Sequence, residues 1–354
     1  MERRNYCLAL TMLCAVSLFL LCAVTHATGD PESLSADIAK ALAGKDYLKA
    51  IEYCQRVVST YPQSLQAADA SCKMGDCLSR LNRRVEALAA YQWVLANHAQ
   101  SPIAPEASRG IAYTHIALGQ RTEAMKAFGD LAAAYPESPQ AALAHLRMGM
   151  LYISDLRKDA ENAPALRQKA LDQFAAALSS KAASAEVVAE AALQTLGMRF
   201  EAALDGSESW TAVDSALETF EQSHPNAPSK AKARVCLMRA ERATSLKNYE
   251  EVIRLTEPLP KTYPGLRIES AWSMLLLGSA YAETGRHREA VTTFDGVVGG
   301  YTDADNFAGN NVRALAVYFK ISCLEKLGET AAAAAATAFL KQTWPDSDIA
   351  KILD

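Results

Sequence analysis

Aromatic side chains are scarce in this chain: Phe, Trp and Tyr make up only 7% of its 354 residues, while about half of the residues are apolar. A core of that composition is thin and filled with alanine, which suits an α-rich protein. Charge of one sign is lacking as well. The 36 Lys and Arg against 40 Asp and Glu leave a net charge of −4, which argues against a nucleic-acid partner. Metal-binding and catalytic patterns are missing too. The six histidines include no pair four residues apart and no HExxH, so a zinc hydrolase has no support, and His115 and His145 read as packed or half-exposed residues. There is no glycine-rich phosphate loop, nucleophile elbow or clustered carboxylate pair. The reading is a non-enzyme that needs no cofactor and no metal.

One long hydrophobic run exists, and it stands at the start. "MERRNY" is short and basic, "CLALTMLCAVSLFLLCAV" is unbroken and apolar, and "THATGD" places Thr25 and Ala27 as the small residues of a signal-peptidase site. Residues 1–27 are expected to be a signal peptide, which makes the protein exported and periplasmic, with no transmembrane segment in the mature chain. An uncleaved N-terminal anchor is the alternative. Cys14 and Cys22 each follow a leucine, where lipid attachment needs a small residue. Loss of two arginines and one glutamate with this segment moves the net charge from −4 to −5. Five cysteines then remain, Cys54, Cys72, Cys77, Cys236 and Cys323, an odd number and no disulfide scaffold. Cys72 and Cys77 lie five apart on one helix, a spacing that fits neither a metal clip nor a redox pair. Cys54 on the preceding helix could bridge to Cys72 or Cys77 if the Cα atoms approach within about 7 Å. Small buried thiols are the other reading.

What the chain does have is repetition. "TYPQS", "AYPES" and "TYPGL" recur, and the prolines keep the register: Pro62 to Pro136 is two units of 37, Pro225 to Pro264 is 39 and Pro264 to Pro345 is two units near 40, with Ala99 and Thr302 at the unmarked places. About eight units fit between Pro31 and Asp354. In each, a first helix carries a small residue where its partner crosses: Gly75, Ala112, Gly149, Ala240 or Gly278. A turn follows, with Gly119, Gly285 and Gly328 as left-handed stops. The second helix has an acid in its first turn, at Glu86, Glu123, Glu251 and Glu289. It also carries inward pairs such as Ala87 with Tyr91, Ala124 with Phe128, Ala170 with Phe174 and Ala290 with Phe294. Two units are irregular: one has an insertion, "SDLRKDAENAPALRQ", and one around Gly206 lacks a clean alanine–aromatic pair. A seam near residues 181–210 is expected, dividing residues 28–180 from 181–354.

These features resemble the tetratricopeptide repeat. The units "LLLGSAYAETGRHREAVTTF" and "GIAYTHIALGQRTEAMKAF" carry the signature best. The resemblance implies an all-α, right-handed α-solenoid of about eight helix pairs. The YP-x-S endings look like those of bacterial envelope members of the family, the outer-membrane assembly lipoprotein and the Tol-associated coordinator. The chain departs from those in lacking a lipid-attachment cysteine and in holding more units. In this architecture first helices line a concave groove, which places Asp76, Arg80, Arg109, Tyr113, Leu146, Met150, Arg234, Trp272, Leu275 and Tyr318 there. Such a mixed surface suits a protein or peptide partner with a few apolar anchors. A non-catalytic scaffold of the cell envelope is therefore expected. A self-associating subunit of an envelope assembly is the alternative. A glycan-binding module is a weaker one, because the groove lacks aromatic platforms and a carboxylate pair. Arg83, Arg84, Arg121, Arg286 and Arg288 read as a solvated edge.

Overall fold

A computed structural model describes residues 30–156, 158–159, 161–303, 306–307 and 310–352. The expected signal peptide lies outside them. No helix among the described residues is long and apolar enough to cross a membrane.

The chain divides into two compact units between Val187 and Val188, each built of antiparallel helix pairs. The first unit pairs α1 (Pro31–Ala43) with α2 (Tyr47–Thr60), α3 (Leu65–Arg80) with α4 (Arg84–His98), α5 (Ala104–Ala117) with α6 (Arg121–Ala134), and α7 (Pro139–Leu156) with α8 (Ala163–Ser179). The second contains nearly all of α9 (Ala185–Leu204), which packs on α10 (Trp210–Ser223). There follow α11 (Ser229–Ser245) with α12 (Tyr249–Thr256) and α13 (Leu259–Thr262), then α14 (Arg267–Glu283) with α15 (His287–Gly300). The last pair is α16 (Val312–Lys326) with α17 (Thr330–Thr343), capped by the short α18 (Asp348–Ile352). Between α15 and α16, β1 (Asn306–Phe307) and β2 (Asn310–Asn311) form a two-residue antiparallel ladder. The fold class is an all-α solenoid, with eight helix pairs among the described residues, as the resemblance implies.

Three of the pairs, α3 with α4, α7 with α8 and α14 with α15, are locked by an aromatic ring seated on a glycine. A Cβ added at Gly278 would stand 2.5 Å from the Phe294 ring, and one at Gly149 would stand 2.4 Å from Phe174. Tyr91 uses two glycines, Gly75 on α3 and Gly110 on α5, so one ring joins neighbouring pairs. The alanines one turn before these rings, Ala87, Ala170 and Ala290, are fully buried. First helices also pack on the first helix of the next pair, α1 on α3, α3 on α5, α5 on α7, α11 on α14 and α14 on α16.

The turns repeat to the hydrogen bond. Gly119, Gly206, Gly285 and Gly328 all have positive φ, and Lys45, Asn82 and Lys247 adopt the same conformation at the equivalent places. Each closes its helix with two backbone bonds, as in Gly285 N to Ala282 O at 3.2 Å and Arg286 N to Tyr281 O at 2.8 Å, or Lys247 N to Thr244 O and Asn248 N to Ala243 O, both at 2.9 Å. The YP-x-S sentence has a mechanism too. The Ser138 hydroxyl donates to the Tyr135 carbonyl at 2.7 Å and accepts from Ala141 N at 3.1 Å, so one side chain ends α6 and caps α7. Ser64 and Ser347 do the same. Proline follows the aromatic because nothing need donate there. The second helix of the sixth pair is broken into α12 and α13 at Pro258, a division the repeat length does not reveal.

Cys54, Cys72 and Cys77 are free, buried thiols, so the disulfide alternatives are not formed. Burial pushes the Cys54 thiol up to about 12 and raises Cys72 and Cys77 as well, which disfavours their thiolate forms.

The packing and turn geometry have opposite mutational signatures. Gly278→Ala is expected to destabilise by about 2 kcal/mol, because the buried Phe294 ring must move. Lys247→Gly relieves a left-handed lysine and is expected to stabilise by roughly 0.5 kcal/mol. Urea unfolding of both variants checks the signs.

Candidate functional site

Cavities open between consecutive first helices in both units. In the first unit a cavity of 430 Å³ is lined from α3 by Asp76, Ser79 and Arg80, from α4 by Arg84 and Tyr91, and from α5 by Arg109, Gly110, Tyr113, Thr114 and Ala117. The four residues predicted here, Asp76, Arg80, Arg109 and Tyr113, therefore meet in one place. Tyr91 donates its hydroxyl to Asp76 Oδ1 at 2.6 Å. Asp76 is reachable by solvent but stands in a cavity walled by protein. That burial raises its pKa, against the lowering effect of the Tyr91 hydrogen bond. Arg109 pairs with Glu106, and Gln140 of α7 donates to the same carboxylate at 3.0 Å. Burial alone would raise Glu106, but these donors outweigh it and hold its carboxyl below the ordinary range. The Tyr113 ring lies within 5.7 Å of the guanidinium groups of both Arg109 and Arg147, and its hydroxyl accepts from Arg147 Nε at 2.7 Å.

The α7 residues are placed differently from the prediction. Leu146 is 3% exposed and belongs to the core. Its neighbour Arg147 takes the groove position, because one residue turns a helix by about 100° and burial favours the leucine inside. Met150 is half-buried, its sulfur 3.5 Å from Arg147 Nη1.

In the second unit a more apolar cavity of 510 Å³ is lined by Tyr249 of α12, by Trp272, Leu275, Leu276 and Ser279 of α14, and by Leu315, Phe319 and Lys326 of α16, among others. Trp272 stands there as predicted and is half-buried. Leu275 is 2% exposed and forms the floor, so it is core first and lining second. The Trp272 indole donates to Glu241 Oε1 at 2.5 Å and stacks on Phe307 with 5.0 Å between centroids. Arg234 is held by buried Glu269 at 3.2 Å and lies 5.9 Å from the Phe307 ring, away from the cavity lining. Tyr318 packs edge-on against Phe319 and lines neither cavity.

Sequence reasoning missed Tyr91, Arg84, Tyr249 and Phe319. The signal for Tyr91 was present, since Phe occupies the equivalent place in other pairs and only a tyrosine brings a hydroxyl. The arginine edge is also more structured than expected: Arg83 pairs with Glu86, Arg121 with Asp155, Arg286 with Glu289 and Arg288 with Glu329. Among the described residues no cluster of His, Cys, Asp and Glu could hold a metal ion.

The tetratricopeptide repeat family profile matches residues 36–64, 106–138 and 272–303, which span parts of three of these helix pairs. Three stretches of the chain are thus similar to tetratricopeptide repeats. No curated protein matches it. Similar solved structures include a tetratricopeptide repeat protein from Parabacteroides merdae ATCC 43184, 16% identical over 91% of this chain and 96% of that one, with a TM-score of 0.40. PilF of Pseudomonas aeruginosa is 14% identical over 68% and 95%, with a TM-score of 0.47. A thermophilic repeat protein of Thermus thermophilus is 20% identical over 59% and 100%, with a TM-score of 0.39. In the repeats seen here the two cavities lie between first helices, α3 and α5 in one unit and α14 and α16 in the other.

Burial raises the pKa of Glu241, an effect the Trp272 hydrogen bond opposes. A carboxyl whose folded pKa is raised loses stability as pH climbs from the unfolded value toward the folded one. Glu241→Gln keeps an acceptor for the indole and removes this loss. Its melting temperature relative to the parent is therefore expected to rise between pH 4 and pH 7, as measured by thermal melts across that range.

Proposed function

We propose that the protein is a non-catalytic protein-interaction scaffold of the bacterial cell envelope, exported by residues 1–27 and holding a partner segment against its first helices. The observation that carries this reading is the 510 Å³ cavity with the Trp272 indole and the Phe319 ring in its lining. Large, rigid aromatic surfaces of this kind anchor peptides at low entropic cost. Tetratricopeptide repeats serve in general as such scaffolds, and neither cavity gathers the nucleophile, base and oxyanion donors that a reaction would require.

The test uses the protein expressed with its leader. N-terminal sequencing of the exported form is expected to begin at Thr28. Immobilised mature protein is then used to capture partners from an envelope extract of the source organism, with Ser279→Arg as control, since a long side chain there plugs the cavity without cutting the core. A protein retained by the parent and lost by the variant supports the reading. Retention by both moves the site elsewhere, and capture by neither, with a concentration-dependent mass, favours a self-associating subunit.

A further inference from the structure

The first unit's cavity gathers basic side chains with different partners. Arg83, Arg109 and Arg121 are each matched to a carboxylate, and Arg147 is held by Tyr113. Arg80 and Arg84 have no hydrogen bond or ion pair to a described residue, and both line the 430 Å³ cavity. The Arg80 guanidinium lies 5.7 Å from the Tyr47 ring centroid, a contact with the ring face that uses none of its N–H donors. Asp76 is the only carboxylate in that lining; it accepts from Tyr91 and attracts Arg109 and Arg80 at longer range, without an ion-pair contact to either. A second cavity of 370 Å³ adjoins the first, sharing Asp76 and Arg80, and adds Lys45, Tyr47 and Lys73. Lys73 is matched by Asp69, whereas Lys45, at the α1–α2 turn, has no ion-pair partner among the described residues. Three cations with no side-chain hydrogen bond or ion pair to a described residue, Lys45, Arg80 and Arg84, thus follow one another from the first repeat to the second, along a trough whose far wall is α5, in a chain whose net charge is −4.

Open guanidinium groups side by side are matched by carboxylates, which accept two parallel hydrogen bonds from each fork. Three cations spread over two adjoining cavities fit several acidic side chains along an extended segment better than one compact anion. We infer that this trough binds an acidic peptide segment, its carboxylate side chains meeting Arg84, Arg80 and Lys45 in turn and its backbone passing Asp76 and Tyr113. The inference deepens the scaffold reading and rests on it for the biological partner, but the binding itself concerns purified components alone.

The probe is fluorescein-labelled hexaglutamate with an amidated C-terminus, titrated by fluorescence anisotropy against the mature protein at low and physiological salt. Binding is expected at low salt, weakening as salt rises, and weakening about tenfold in an Arg80→Gln, Arg84→Gln double variant whose melting temperature matches the parent. Ser279→Arg, at the other cavity, is expected to bind as the parent does. Equal binding by the double variant and parent overturns the assignment, as does no binding at low salt. Displacement by inorganic phosphate at the concentration of competing unlabelled hexaglutamate also overturns it, since the site would then be a simple anion site. If hexaglutamate does not bind at low salt while the mature protein still captures an envelope partner, the acidic-segment assignment fails and the scaffold reading stands. If hexaglutamate binds and no partner is captured, the reverse holds.

Discussion

The rest of the structure depends on a ring resting where a side chain is missing. Phe174 on Gly149, Phe294 on Gly278, and Tyr91 on both Gly75 and Gly110 let two helices of a pair approach closely, and no residue larger than glycine fits beneath those rings. Close approach lets alanine fill the remainder of the interface, which is why a chain so poor in aromatics can still build a continuous core. Each pair also leaves an apolar face uncovered, and only the next pair can bury it, so stability is a matter of neighbours.

The same constraint makes the cavities. Rings from the second helices fill the space behind the first helices, and first helices pack side by side, so their outward residues are left to line the open side. Where the ring is a tyrosine, its hydroxyl emerges into that space and meets Asp76. Where the lining is tryptophan, leucine and phenylalanine, the cavity is apolar. One architecture thus presents a cationic trough in one unit and an apolar cleft in the other, and the two chemistries follow from side chains that the fold does not need for itself.

Capping and turn chemistry are equally repetitive, but not uniformly optimal. Glycine takes the left-handed position at four turns, yet lysine or asparagine takes it at Lys45, Asn82 and Lys247. The two backbone bonds that close each helix form regardless, so tertiary packing imposes the conformation and the residue tolerates it. Lys45 at such a turn also stands beside the trough, where its charge has a use that a glycine would not provide.

The repeat length, the helix pairs, the glycine turns, the alanine–aromatic pairs and the YP-x-S ending of several units were legible in the sequence, because each is a local relation between residues a few positions apart. The convergence of Asp76, Arg80, Arg109 and Tyr113 was legible too, since equivalent positions in successive repeats must stack. The rest was decided by tertiary structure. A turn of about 100° per residue put Leu146 in the core and Arg147 outside it. Pro258 divided a helix that the period drew as one. Arg84 left the edge assigned to it and joined the cavity, while Arg234 was drawn aside to Glu269. Local spacing determines which residues share a helix face. Which face meets a neighbour, and how far a long side chain reaches across it, depends on contacts between segments that are distant in the chain.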